Sequence, residues 1–435
     1  MRPGRRRQRV SLPFSLALYR AATTALTPIA PGLLRRRAAR GKEDPTRLNE
    51  RLGKPAIPRP PGVLVWLHGA SVGESLSILP LVERLRAERP DATVLVTSGT
   101  VTSAQLLATR LPPGAIHQYL PVDTPGGAAR FLDHWRPDLA VFVESELWPN
   151  LLLGAKARGT KLALVSAKLS DKSYRSWQTR PLAAAWLFAG FDLILAQDGR
   201  AADRFASLGG TVAGEADLKF GSPSLPVDEA EYARLRFQLT DRPLLLAAST
   251  HPGEDEIVLD AVAGFHLAPR LVIVPRHPAR GEAILEMART RGLEAVRRSQ
   301  APDTVAEVIV ADTLGETGLW YRLADLALVC GSLVPGIGGH NPLEPARLDC
   351  PMVSGPHVEN WLTAYADLAA VEGCAHADAS VLGGRLSAML ETPERLKAQA
   401  ARAKAFVEAR DATAREGLSR ILELAPLNPG PETLA

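Results

Sequence analysis

The chain has 435 residues, enough for two domains of roughly 100–200 residues, each with its own core. Apolar residues make up 46% and charged residues 23%, which excludes general disorder and a multi-span membrane protein. The net charge of +4 gathers at the front. That basic run is not interleaved with aromatics and no nucleic-acid module follows it, so no nucleic-acid partner is expected.

Arg2, Arg5, Arg6, Arg7 and Arg9 open the chain, and Arg35, Arg36, Arg37, Arg40 and Lys42 follow, with VSLPFSLALYRAATTALTPIAPGLL between them. A spanning helix wants ~20 clean apolar residues; Pro13, Arg20, Pro28 and Pro31 interrupt this one. Positive charge on both sides disfavours a cleaved signal peptide. The preferred reading is an interfacial helix, with Phe14, Leu18, Ala21, Ala22 and Ala25 on one face and flanking arginines on anionic lipid. Residues 1–45 thus form a basic, amphipathic membrane-associating segment.

From residue 63, short apolar runs alternate with amphipathic stretches. Strands are predicted at 63–69, 93–99, 139–146, 161–167 and 192–198, with helices at SLSILPLVERLRAERP and NLLLGAKARG. The pattern pauses at FGSPSLPVDEAE and restarts with strands at 243–250, 270–278, 307–313 and 326–332; a helix is expected from about 391 to 424. Continuous apolar strands alternating with helices imply parallel sheets covered on both faces. The boundary falls near residue 222, giving an N-terminal domain over 46–221 and a C-terminal one over 222–435. Two doubly wound domains imply a central cleft at the carboxyl ends of their strands.

The motifs sit at strand ends. In HGASVGES (68–75), Gly69 and Gly73 suit a tight turn, and Glu74 falls near a helix start. A first-turn carboxylate is also what the helix dipole alone favours. In VESELWPN (143–150), Glu144 and Glu146 alternate, and so point to opposite faces if the strand continues; Trp148 reads as core. Lys219, in EADLKFGS, reads as a solvated lysine on its own. Cys330, Cys350 and Cys374 have no paired spacing and read as small buried residues in a reducing compartment. In ASTHPGEDE (248–256), His251 and the three acids match no metal-ligand spacing. VPRHPAR (274–280) places Arg276, His277 and Arg280 past a strand, where guanidinium groups can grip an anion. ADTLGETG adds a turn at Gly315. In CGSLVPGIGGHNPLEPA (330–346), a glycine-rich loop feeds a helix expected near Asn341, with Pro342 at its first position, free N–H groups for a phosphate, and Glu344 for ribose hydroxyls. No Walker pattern or strand-linked GxGxxG occurs.

In order, HGASVGES, TSGTVTSA, YLPVD, VESELWPN, SAKLS, DLKF, STHPGEDE, VPRHP, DTLGE, GGHNPLE and SGPH run from about residue 64 to 357. Together they resemble the Kdo (3-deoxy-D-manno-octulosonic acid) transferase family. The resemblance implies a GT-B-type fold of two Rossmann-like domains and an inverting transfer of Kdo from CMP-Kdo to a lipid A precursor (lipid IVA). It also implies the cytoplasmic side of the cell inner membrane, with no cofactor and no metal. Glu74 would be the general base, with Glu144 and Lys219 stabilising the transition state. Pro275, Arg276, Leu314, Gly315, Glu316, Asn341, Pro342, Leu343 and Glu344 would bind CMP. Ser71, Gly73, Lys168 and His340 are further expected substrate contacts. Two departures stand out. Lys168 replaces the family's usual arginine, keeping the charge but losing the bidentate fork, and Ala216 replaces a usual glycine near Lys219. A nucleotide-sugar epimerase on the same fold, acting on a soluble sugar, remains an alternative.

Overall fold

The computed structural model describes residues 12–221, 224–263, 265 and 268–425. They divide into two compact units, Met1–Ser222 with Asp411–Ala435, and Pro223–Arg410. In the first unit the strands are β1 (Leu64–His68), β2 (Thr93–Ser98), β3 (Ala115–Tyr119), β4 (Leu139–Val143), β5 (Lys161–Ala167), β6 (Leu193–Ala196) and β7 (Val212–Glu215). They form one parallel sheet of order β3-β2-β1-β4-β5-β6-β7. Strands β1 and β4 are buried along their whole length, as a sheet covered on both faces requires. One layer beneath the helices packs Val65, Leu67, Ile78 and Val141; the other packs Trp66, Phe131, Phe142 and Phe188.

The second unit repeats the scheme with β8 (Leu244–Thr250), β9 (Arg270–Pro275), β10 (Ala295–Arg297), β11 (Val308–Val310), β12 (Leu326–Val329), β13 (Met352–Ser354) and β14 (Ala375–His376). Their order is β10-β11-β9-β8-β12-β13-β14, all pairs parallel. The strand order reverses between β1 and β4 in the first sheet and between β8 and β12 in the second. Crevices for ligands open at the carboxyl ends of such switch points.

The end of the chain departs from the sequence reading, which kept everything after 222 in the second domain. The helix Pro393–Leu424 begins on the second unit, where Leu396 joins the core. Its last turns return to the first unit, where Leu418, Ile421 and Ala425 pack with Leu195, Ala216 and Leu218. Those apolar side chains complete a layer that the first sheet would otherwise leave open.

At the other end, the helix Phe14–Leu26 also packs on the first unit. Leu16 is buried, the Tyr19 hydroxyl donates to Asp123 Oδ2 at 2.9 Å, and Asn150 Nδ2 donates to Thr23 Oγ1 at 3.0 Å. Phe14 and Leu18 on the opposite side are 83% and 59% exposed, and Ala21, Ala22 and Ala25 are exposed with them. The next helix, Ala30–Ala38, carries Arg35, Arg36 and Arg37 in its last turn. No described helix is long and apolar enough to cross a membrane.

Candidate active site

In the first unit, three strand-end loops bring the predicted residues together. Ser71 caps the helix Val72–Glu88, its hydroxyl accepting from the Glu74 N–H. The Glu74 carboxylate turns back, taking the Ala70 N–H on Oε2 at 2.7 Å and the Ser71 hydroxyl on Oε1 at 2.9 Å. This is close to a capping box, so the helix-start reading of Glu74 describes its local geometry. Gly69 is needed for closeness: a Cβ there would lie 2.9 Å from the Glu74 carbonyl carbon. Gly73 sits in the first turn of the helix with open space around it, so it makes no turn but leaves room beside Glu74.

Glu74 carries an unusual charge environment for a cap. Burial pushes its pKa up, and the nearby carboxylates Glu146 and, to a lesser degree, Glu144 push it further. The hydrogen bonds from Ala70 and Ser71 only partly offset them. A carboxyl raised in this way is a stronger base than an exposed one once it is deprotonated.

Strand β4 ends at Val143, so the expected alternation of Glu144 and Glu146 does not apply. Glu144 leaves the strand with φ +60°, a left-handed conformation rare for a non-glycine residue and typical of functional loops. Its carboxylate is gripped by two cations: Lys168 Nζ lies 2.7 Å from Oε2, and Lys219 Nζ lies 3.4 Å from Oε1. Lys219 is thus no free surface lysine. Asp217 Oδ1 accepts its backbone N–H at 3.0 Å, and Ser166 Oγ accepts that of Leu218 at 2.9 Å. Lys168, the departure from the family pattern, still reaches Glu144 as a point charge.

Glu146 turns elsewhere. Its Oε2 meets the buried His68 Nε2 at 3.2 Å and accepts from Trp148 Nε1 at 2.8 Å. The His68 ring in turn contacts Thr97 Oγ1 at 2.9 Å, and Trp66 Nε1 donates to the same oxygen at 2.8 Å. Burial raises the Glu146 pKa, but the hydrogen bond and attraction of His68 and the Trp148 N–H outweigh it, leaving a net lowering. Trp148 therefore packs on the core and holds a carboxylate as well. Sequence reading gave Glu146 and His68 no role; the clue was a buried-strand histidine facing a second acid across neighbouring strand ends.

In the second unit, Pro275 closes β9 and is buried, whereas Arg276 is exposed. The Arg276 guanidinium has no hydrogen-bonding or ionic partner among the described residues. Arg280, expected beside it, is committed: it ion-pairs with buried Asp255 and donates to the Thr250 carbonyl at 3.1 Å. Glu254 was passed over as a dipole-driven helix start. It is fully buried, and its two oxygens take the N–H groups of His251, Gly331, Ser332 and Leu333 at 2.8–3.0 Å. It therefore ties the loop after β8 to the loop after β12.

The GGHNPLE segment is shorter as a helix than its sequence implies. The helix runs Leu343–Arg347, with Pro342 one position before it. Asn341 Oδ1 already accepts the Leu343 N–H at 3.0 Å, and Asn341 Nδ2 lies 3.4 Å from Glu344 Oε1. Five residues give a weak dipole and one N–H is already capped, so this helix start by itself offers an anion little. Burial raises the Glu344 pKa against the pull of Asn341, Arg347 and Arg276. Gly315 turns at φ +87° and leaves Leu314 86% exposed. The Glu316 side chain is held by Arg298 at 3.2 Å and by Thr313, so this turn can offer a ligand its backbone and Leu314 rather than that carboxylate.

The family described as 3-Deoxy-D-manno-octulosonic-acid transferase (kdotransferase) matches residues 46–222. A probable mitochondrial 3-deoxy-D-manno-octulosonic acid transferase of Arabidopsis thaliana is 34% identical over 362 residues, 80% of this chain and 81% of that protein. The 3-deoxy-D-manno-octulosonic acid transferase of Haemophilus influenzae is 32% identical over 80% of this chain and 84% of its own length. Among solved structures, Acinetobacter baumannii MurG superposes with a TM-score of 0.54 at 14% identity, covering 83% of this chain and all of that one. At that identity the likeness speaks for the fold alone.

Proposed function

The chain belongs to the 3-deoxy-D-manno-octulosonic acid (Kdo) transferase family, and from that premise we propose that it transfers Kdo from CMP-Kdo to a lipid A precursor at the inner membrane. As a glycosyltransferase with two Rossmann-like units of GT-B type, it divides the chemistry between them. The observation that carries the reading is the Glu74 carboxylate, desolvated and pushed up by Glu146 at the switch point of the first sheet.

Glu74 takes the proton from the acceptor hydroxyl as that oxygen attacks the anomeric carbon. The electron pair of the sugar–phosphate bond leaves with CMP. The Lys168–Glu144–Lys219 cluster is the preorganised charge that meets the sugar as its own charge changes. It acts without reorganising, because all three side chains are already locked. Arg276 grips the CMP phosphate, Glu344 accepts from ribose hydroxyls, and Pro275, Asn341, Pro342, Leu343 and the Leu314–Gly315–Glu316 turn shape the rest of the nucleotide pocket. Ser71, Gly73 and His340 are further substrate contacts. The exposed Phe14–Leu18 face rests on the lipid surface that presents the acceptor.

The test is to incubate the protein with CMP-Kdo and lipid IVA and read product masses. Glu74→Gln should retain CMP binding and lose turnover by about 10²–10⁴-fold, the usual worth of a general base. Turnover at the native rate in that variant would remove Glu74 from the mechanism.

A further inference from the structure

The strand-end loops of the second unit bring three imidazoles together. His251 Nε2 lies 2.9 Å from His340 Nε2, and the two rings meet end to end, centroids 5.1 Å apart with planes 16° apart. His277 stands edge-on to His251 at 6.3 Å. Gly331 makes this possible: at φ +73° its missing Cβ would fall 2.8 Å from the His340 ring. Two facing ring nitrogens need one proton between them. With none, lone pairs confront each other; with two, N–H groups do. In the neutral pair one ring therefore donates its N–H and the other accepts.

The surroundings keep the free pair uncharged. Burial lowers the His251 pKa; Glu254 pulls it up, and His277, Arg276 and Arg280 push it down. Burial, His251 and Arg276 bring His340 down to about 4 against the pull of the Ser249 carbonyl. Of the two arginines, Arg280 is already neutralised by Asp255. Arg276 makes no ion pair among the described residues, Glu344 being its acidic neighbour with a pKa raised by burial, and it sits beside the pair because its backbone N–H bonds the Thr250 carbonyl at 3.0 Å.

We infer that His251 and His340 act as a proton-accepting pair that binds one proton together with the phosphate of a nucleoside monophosphate at Arg276. The inference rests on the proposed CMP-binding role of Arg276. An anion there cancels the charge that repels a proton from the pair and adds a negative one that attracts it. Linkage then runs both ways: phosphate binding draws in the proton, and lower pH tightens phosphate binding. During transfer, the bond from the anomeric carbon to the phosphate oxygen breaks and its electron pair stays on CMP. The phosphate passes from one negative charge to two, and the proton on the pair offsets the second. The acceptor's proton goes to Glu74, and the pair's proton returns to solvent as CMP departs.

The test is calorimetric titration of the full chain with CMP at pH 7.5, repeated in buffers of different ionisation enthalpy. Native protein should take up a large fraction of one proton per CMP. The sign is diagnostic, because a phosphate monoester with a second pKa of about 6 releases protons when it meets cations. Affinity should rise as pH falls, by at most about tenfold per unit for one linked proton. His251→Gln and His340→Gln should each bind CMP more weakly and without uptake, and cytidine should bind native protein without it. CMP binding with no uptake, or uptake that survives in both variants, would overturn the pair and leave Arg276 in its role. CMP binding unaffected by Arg276→Ala would bring down the donor site itself, and the pair with it.

Discussion

At the scale of single residues, the most informative side chain is one that touches no proposed substrate. Glu146 is held charged by His68 and Trp148, and its charge is the largest electrostatic influence raising Glu74. A base works only when deprotonated, so turnover should fall as pH drops through the Glu74 pKa, above the ordinary carboxylate range. Replacing Glu146 by Gln removes a negative neighbour, lowers that pKa and moves the acid limb of kcat/KM to lower pH. The plateau rate should drop modestly, because a weaker base accepts the proton less readily. A pH–rate profile checks this, and an acid limb that stays in place or moves up would remove Glu146 from the tuning of Glu74. Glu144 behaves differently. It is fixed by two lysines in a strained backbone, so Lys168→Met should cost kcat by leaving a half-buried carboxylate with one partner. Lys168→Arg should restore most of it. Single-turnover rates of the two variants separate these outcomes.

At the scale of elements, the long apolar strands were legible because continuous Val, Leu and Ala runs bounded by turns have one reading in an alternating chain. Strands β3, β7, β10, β13 and β14 were not: β10, β13 and β14 are two or three residues long, and β3 (AIHQY) and β7 (VAGE) lack a continuous apolar run. Strand β4 was read three residues too long: nothing in VESE marks where the backbone turns left-handed, which only the Glu144 φ reveals. The candidate site was legible as motifs, yet their partners were not. Lys219 looked solvated because its partner Glu144 lies 75 positions away in sequence, and Glu254 looked like an ordinary first-turn acid until two loops converged on it. Ala216 looked like a threat to the Lys219 turn. The helix Pro393–Leu424 resolves that: a Cβ on Gly417 would come 2.6 Å from the Ala216 methyl, so the missing glycine has its counterpart across the contact. Gly417→Ala should therefore destabilise by roughly 1–3 kcal/mol, the cost of overpacking, despite alanine's better helix propensity. Pairing it with Ala216→Gly should recover most of the loss. Thermal or urea unfolding of the single and double variants measures this coupling, and additive effects would show that the two positions do not share one space.

At the scale of the whole molecule, the N-terminal helix asks to be explained by what lies outside the protein. It is firmly held on one side, where Tyr19 meets an Asp123 that also accepts the Asn150 and Leu151 N–H groups at the start of the helix Pro149–Ala157. A helix so anchored has no need of an apolar outer face. Yet Phe14 and Leu18 are exposed, Ile29 and Leu33 continue the apolar surface at 57% and 44% exposure, and the arginines of the next helix stand beside it. Apolar groups flanked by arginine are the composition of a surface that lies in a lipid interface. Burying one Phe or Leu side chain contributes about 1.5–3 kcal/mol, and each arginine near anionic lipid about 1 kcal/mol. Phe14→Ser with Leu18→Ser should thus weaken binding to phosphatidylglycerol vesicles by at least about tenfold. Replacing Arg35, Arg36 and Arg37 by Gln should also weaken it and reduce its salt dependence, because only the charge contribution is screened. Neither set touches the nucleotide residues, so CMP affinity should not change. Vesicle co-sedimentation at low and high salt, beside CMP titration, separates the two contributions. Native vesicle binding in both variants would mean that this face meets something other than lipid.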